Sequence, residues 1–392
     1  MRRPLLVIYL TIFVNLVGFG IIIPLLPFYA ETFGASPLAI GLLFASFSVG
    51  QLIASPLLGE LSDRYGRRPV LIFSLIGTVV SFVMLAVAQS LAMLFAARLV
   101  DGLSGGNITT ARAYIADVTS EAERPRAFGM LGAAFGLGFI VGPALGALFS
   151  YISYTAPIWA AAAITVVATA MAFFWLPETV HRARAGGGSP WKALRELSRR
   201  PGLRLLFGVD FLYWMAFAVY QTAFALFGAR RFGFDASHTG YLLSAFGVLG
   251  VVVQGFLVGP VVALIGARRT LIAGLVFAAF GWAAGALTNS VPVFVATLVP
   301  AALGIGFCNA TLSTLVSNAA GPLEQGRVQG AAGALESLGR TLGPVWGNGA
   351  LQVFGEGKAF GTAAVVLLGA AALTMRYHPP PRESMPPQTV RI

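Results

Sequence analysis

Apolar runs of about 20 residues, long enough to cross a bilayer as helices, recur along the whole chain. Twelve are separable, over residues 5–29, 38–60, 69–88, 92–116, 127–150, 155–176, 203–226, 239–262, 270–288, 292–315, 328–352 and 358–376. The breaks between them are short and hold most of the charge, as at Gly59-Glu60-Leu61-Ser62-Asp63-Arg64-Tyr65-Gly66-Arg67-Arg68. The pattern predicts an all-α membrane protein of twelve transmembrane helices.

These runs form two sets. The charged turn recurs about 200 residues later as Gly259-Pro260 through Gly266-Ala267-Arg268-Arg269, with its glycines and final arginines kept and the Asp63-Arg64 pair lost. Gly142-Pro143-Ala144-Leu145-Gly146 likewise corresponds to Gly343-Pro344-Val345-Trp346-Gly347, on helices opened by Arg126 and Arg327. A constant offset implies two six-helix bundles of the same orientation, with a site near the midplane between them. The predicted division is an N-terminal bundle over 1–178, a cytoplasmic linker over 179–202, a C-terminal bundle over 203–378 and a cytoplasmic tail over 379–392. Within the linker, Gly186 to Pro190 reads as a flexible break, and Lys192 to Arg200 as a short basic helix.

Composition agrees. Hydrophobic residues make up 57% of the chain and charged ones 10%, where soluble domains carry roughly 25% charge. The net charge of +11 follows topology. Arginines and lysines crowd the loops on the side of the termini, while the opposite loops hold only Arg230, Arg231 and Lys358. That asymmetry places both termini in the cytoplasm and makes membrane lipids, not nucleic acid, the partner of the basic surface. One cysteine, Cys308, excludes a disulfide framework, and three scattered histidines offer no metal or nucleophile spacing. Neither an enzyme, nor a cofactor, nor a metal is expected. Met1-Arg2-Arg3 opens a retained first helix rather than a secretory signal.

Charges inside spans cost about 2.5–3.5 kcal/mol each on insertion scales, so they mark function or pairing. Arg98 and Asp101 lie three apart on the fourth span, and Glu336 and Arg340 four apart on the eleventh, so each pair shares a helix face. They are either neutralising pairs or proton-coupling groups. Asp210 falls near the cytoplasmic end of the seventh span, where a snorkelling, structural role is expected. Gly138, Gly142, Pro143 and Gly146, with Gly132 and Gly136, give the fifth span a close-packing seam and a kink.

The turn at 59–68 matches G-x-x-x-D-R-x-G-R-R, the loop motif of the major facilitator superfamily. Arg98-Leu99-Val100-Asp101-Gly102 resembles its fourth-span motif, and Gly132 through Gly146 its antiporter-associated fifth-span motif. Gly20-Ile21-Ile22-Ile23-Pro24-Leu25-Leu26-Pro27 and Tyr114-Ile115-Ala116-Asp117 are similar to tetracycline-resistance-type exporters of the drug/proton antiporter branch. The resemblance implies alternating access and a loop packed against the start of the eleventh span, near Arg327. It also implies a cavity between spans one, four, seven and ten. Cavity candidates are Asn15, Phe19, Asn107, Tyr213, Trp214, Tyr220, Gln221 and Asn309, with Gln51 and Gln254 beside them. Asp63, Arg64, Arg67, Arg68 and Asp117 would form a cytoplasmic gate, in which Asp63, Arg67 and Asp117 are the latch.

One departure redirects the mechanism. Asn15 stands where tetracycline exporters carry an aspartate, and asparagine cannot titrate. Spans three and nine also lack an acid. Tetracycline itself is therefore disfavoured, and coupling falls to Asp101 or Glu336. A proton-coupled exporter of amphipathic drugs or metabolites, acting as a monomer, leads the readings. A proton-independent facilitator remains open, since Pro177-Glu178-Thr179 resembles a sugar-porter feature, and so does a non-transporting receptor.

Overall fold

The computed structural model describes residues 3–105, 107–120, 123–179, 190–320 and 324–377. Its first half comprises α1 (Arg3–Glu31), α2 (Pro37–Tyr65), α3 (Arg67–Ala86), α4 (Leu91–Ser104), α5 (Asn107–Val118), α6 (Arg124–Ser150) and α7 (Ala156–Trp175). A short helix, α8 (Pro190–Leu197), precedes the second half. That half holds α9 (Pro201–Phe232), α10 (Ala236–Val252), α11 (Val258–Ile265), α12 (Ala267–Leu287), α13 (Val291–Asn318), α14 (Gln325–Phe354) and α15 (Glu356–Met375). The expected break at Gly186 and the tail at 379–392 lie outside the described residues.

Among the described residues, ten helical segments are long and apolar enough to cross a membrane. The other two expected spans depart for physical reasons. Residues 92–116, expected as one helix, are split into α4 and α5 around Gly105, whose N–H bonds back to the Gly102 carbonyl. The α14 helix is continuous but carries Glu336 and Arg340 in its middle. A π turn at Val253–Leu257 also interrupts the eighth run and joins α10 to α11. Such turns concentrate at functional sites.

Helix starts follow side-chain capping. Ser36 accepts from the Ala39 N–H ahead of α2, and Ser90 from the Met93 N–H ahead of α4. Asp235 accepts from the His238 N–H to open α10. Burial opposes its ionisation, but the His238 N–H, the Ser237 hydroxyl and the His238 ring hold its carboxyl down to about 2. The cap is therefore fully formed at neutral pH and is lost only as pH falls through that value.

The two halves repeat each other in detail. In the first, α1 packs on α6 and α7, and α3 on α4 and α7; in the second, α9 packs on α14 and α15, and α12 on α13 and α15. The turns match as well. Gly66 and Gly266 occupy left-handed backbone at φ 109° and 83°, a region that disfavours side chains. Arg68 then donates to the Phe173 carbonyl at the end of α7, and Arg268 to the Thr374 and Met375 carbonyls at the end of α15. Each arginine thus satisfies orphan carbonyls at the last helix of its own bundle.

The bundles meet along two seams, α2 against α14 and α6 against α10. Both are tight at the end away from the termini. A Cβ on Gly41 would overlap the Pro344 carbonyl oxygen, and one on Gly240 would lie 2.5 Å from the Pro143 oxygen. Leu38 N–H donates to Gln352 Oε1 at 3.0 Å, and Ser244 Oγ to the Ile140 carbonyl at 2.7 Å. Towards the termini no comparable contact between the same helices is found among the described residues. Gly59 on α2, Gly330 and Gly333 on α14, Gly129 and Gly132 on α6, and Gly255 and Gly259 beyond α10 have open space where a Cβ would go. The close contacts that fasten the seams thus lie at the end away from the termini.

Candidate functional site

The strongest polar feature of the first bundle lies just ahead of the α4–α5 break. Arg98 Nη1 and Asp101 Oδ2 are 2.6 Å apart, with side chains 2% and 5% exposed, so the pair is closed and dehydrated. The i,i+3 spacing puts both on one face, as the sequence predicts. Thr78 on α3 bonds to the same carboxylate. The guanidinium also lies 4.4 Å from the centre of the Phe47 ring on α2. Phe47 in turn packs on Phe19 of α1 at 5.3 Å, and Phe19 on Phe139 of α6 at 6.3 Å. A buried charge pair is thus connected through aromatic contacts to helices of both seams.

Gln51 extends this assembly across the seam. Its Nε2 donates to the Gly105 carbonyl at 3.2 Å, and its Oε1 accepts from Arg340 of α14 at 3.4 Å. Arg340 therefore faces the other bundle, and its guanidinium lies 5.7 Å from the Trp214 ring centre on α9. The expected neutralising pair of Glu336 with Arg340 is not formed as an ion pair among the described residues. Glu336 instead stands among Arg340, Arg112 of α5, Trp214 and Asp210.

Asp210 corrects a second expectation. It does not snorkel to the interface: it is 4% exposed, lies beside Trp214 and Glu336, and leaves Oδ2 without a hydrogen-bond partner. Its depth was invisible in sequence because burial comes from α14 packing on α9, not from distance along α9.

The cavity candidates separate. Phe19, Trp214, Gln221 and Asn309 are partly exposed, and Gln254 is exposed on the π turn. Asn15 is 8% exposed, and its Oδ1 has no partner. Tyr213 is fully buried and donates to Asn309 Oδ1 at 2.8 Å. Tyr220 is drawn into the second bundle's aromatic core, stacked on Trp282 at 5.3 Å and packed on Phe246 and Phe360. Neither tyrosine faces the gap in this conformation. Asn107 begins α5, and its side chain lies outside the described residues.

At the terminal end, Arg67 gathers the charged turn. It reaches Asp63 at 2.5 Å, Asp117 at 3.1 Å and the Ser62 hydroxyl at 2.6 Å. Arg64 instead lies over its neighbour Tyr65. All the members of this cluster belong to the first bundle, and it is formed in this state. In this state it braces one bundle instead of clasping two. Arg327, expected beside this turn, pairs with Glu196 of α8.

Sequence reasoning missed Glu178. Its two carboxylate oxygens accept from the Arg67 and Arg68 N–H groups at 2.9 and 3.1 Å, capping α3 from the chain that leaves α7. Gly66 is required here by its φ of 109°, and a Cβ would also displace that carboxylate. Pro177-Glu178-Thr179 thus has a local structural reason to exist, with the Pro177 carbonyl also accepting from Tyr114 at 3.0 Å. A charged cap at a helix N-terminus contributes about 0.5–2 kcal/mol. Glu178→Gln should lower the unfolding midpoint in detergent by a few degrees, and Glu178→Ala by more. Equal midpoints for all three proteins would remove the cap from the account.

The fifth-span glycines act inside the bundle and across it. A Cβ on Gly138 would press on Leu16, and one on Gly142 or Gly146 would meet backbone of α1 at 2.7–2.8 Å. Pro143 faces Gly240 of α10 at the closed seam.

Paired helical bundles related by an internal repeat, meeting around buried charges, define a secondary transporter architecture. Comparison with known proteins agrees. The model of the Major Facilitator Superfamily matches residues 8–257 and 206–391. The class G tetracycline resistance protein of Vibrio anguillarum is 35% identical over 354 residues, spanning 88% of this chain and 89% of that one. Multidrug resistance protein 2 of Bacillus subtilis (strain 168) is 29% identical over 386 residues, 95% of each chain. The crystal structure of the human organic anion transporter MFSD10 (TETRAN) superposes with a TM-score of 0.74 at 27% identity, covering 95% of this chain and 99% of that one. The chain belongs to the Major Facilitator Superfamily, to the type that includes these drug-resistance proteins. It is a multi-pass protein of the cell (inner) membrane.

Proposed function

We propose that this transporter exports amphipathic drugs or metabolites by alternating access, as a monomer driven by protons moving inward. In this reading all twelve runs cross the membrane, both termini are cytoplasmic, and the bundles divide at 1–178 and 203–378. The end where the seams lack such close contacts then faces the cytoplasm, where an exporter loads its substrate. The buried Arg98–Asp101 pair carries the reading. It lies at a helix break, in contact through Phe47 and Phe19 with both seams, where a change of state alters its neighbours and its access to water. A carboxylate whose arginine partner and hydration change together can take up a proton in one state and release it in the other.

Phe19, Trp214, Gln221 and Asn309 offer aromatic surface with few polar groups, which suits amphipathic organic molecules. The multidrug relative fits that breadth, and Asn15 argues against tetracycline as the substrate despite the tetracycline-resistance relatives. Glu336, with Arg340, is the second coupling candidate. The Asp63/Arg67/Asp117 brace gives the terminal end a rigid edge for closure. No enzymatic step is part of the cycle.

Uptake into proteoliposomes under an imposed pH gradient, screened over dyes and drugs, tests the proposal. Gradient-driven uptake should be lost in Asp101→Asn while pH-independent exchange persists. Uptake indifferent to the gradient in the parent protein would favour the facilitator instead, a reading that the acid-free α3 and α12 keep open.

A further inference from the structure

The linker helix α8 is fastened to the second bundle by one face and exposes another. Ala193 and Leu197 are 6% and 2% exposed and belong to the main core. Arg200 makes a two-pronged contact with Glu324 at 2.6 and 2.7 Å, and Glu196 pairs with Arg327 at the start of α14. These pairs consume the helix's acid and the arginine at the end of the turn that follows it. Lys192, Arg195 and Arg199 remain exposed, with no ion-pair partner among the described residues. Lys192 and Arg195 lie three apart on α8 and so share a face, Arg199 follows in the turn just past the helix, and the exposed Trp191 stands beside them. Within two residues of Arg199 the chain enters α9 at Pro201, the first residue of a membrane-crossing segment.

We propose that Trp191, Lys192, Arg195 and Arg199 form a docking face for anionic phospholipid headgroups. An unpaired basic stripe at the mouth of a span lies at headgroup depth, where each cation adds about 1 kcal/mol of attraction to an anionic surface. An indole is suited to the same boundary, with its ring in the apolar layer and its N–H in the polar one. Because α8 is ion-paired to α14, the headgroups hold the second bundle and not a loose linker. The inference rests on membrane residence and does not depend on proton coupling or on the substrate.

The test uses the full-length protein in nanodiscs of phosphatidylcholine with a minor fraction of phosphatidylglycerol. Lipid retained after extraction is counted by native mass spectrometry. The parent protein should enrich phosphatidylglycerol. Lys192→Gln/Arg195→Gln/Arg199→Gln should bind it up to about a hundredfold more weakly, the sum of three such attractions. High salt should erase the difference, and added inorganic phosphate at low ionic strength should displace nothing. Equal enrichment in the triple variant, or displacement by free phosphate, would overturn the proposal. If the triple variant aggregates, Arg195→Gln against Arg195→Lys decides: loss in the first with retention in the second supports the face, and equal retention in both refutes it.

Discussion

Gly41→Val should drive the protein out of the state seen here, towards one open at the end away from the termini. A side chain at position 41 would strike the Pro344 carbonyl oxygen and approach Asn348 Cβ to 3.0 Å. The obstacle is backbone and cannot rotate aside. The two bundles must separate there, at an overpacking cost of about 1–3 kcal/mol, which shifts a two-state equilibrium roughly 5- to 150-fold. Because the clash lies between bundles, each bundle should still fold. Gly59→Val on the same helix is the internal control. Position 59 has open space in this state, so the substitution should leave it intact and penalise closure of the terminal end. Spin-label distances across the two ends of the α2–α14 seam report both variants. Opposite shifts are expected; a shift of the same sign, or none in Gly41→Val, would mean that this seam does not govern the exchange.

The glycines at positions 66, 142 and 343 show what was legible in advance. Small residues repeating at a fixed offset, beside prolines and charged turns, revealed the two bundles and their register. The Arg98–Asp101 pair was equally visible, because i,i+3 spacing alone brings the two side chains together. Glu336 and Arg340 share almost the same spacing, yet Arg340 reaches for Gln51 and Trp214. Its partner was chosen by the other bundle, which periodicity along one helix cannot encode. Asp210 failed for a related reason, since depth was judged along α9 while burial came from α14. Glu178 caps a helix whose start lies more than 100 residues earlier, and nothing local to Pro177-Glu178-Thr179 marks that. The α4–α5 break had a signal, Ser104-Gly105-Gly106-Asn107, a turn-forming cluster hidden inside an apolar run. Contacts set by local geometry could be read, whereas contacts set by the meeting of helices required the fold.

The largest effect on stability should come from separating the buried charge pair. Arg98→Leu leaves Asp101 dehydrated with only Thr78 beside it, and Asp101→Leu leaves a guanidinium facing Phe47 without its carboxylate. Removing one partner of a buried pair costs about 3–5 kcal/mol, whereas replacing both with apolar residues is often neutral or stabilising. The single variants should therefore unfold at clearly lower temperature in detergent, and Arg98→Leu/Asp101→Leu should recover most of the loss. Transport should follow a different order. The double variant has no carboxylate to protonate at this position, so gradient-driven uptake should stay abolished although the fold is restored. That divergence separates a pair kept for coupling from a pair kept for packing: a double variant that regains both stability and gradient-driven uptake would move the coupling site to Glu336.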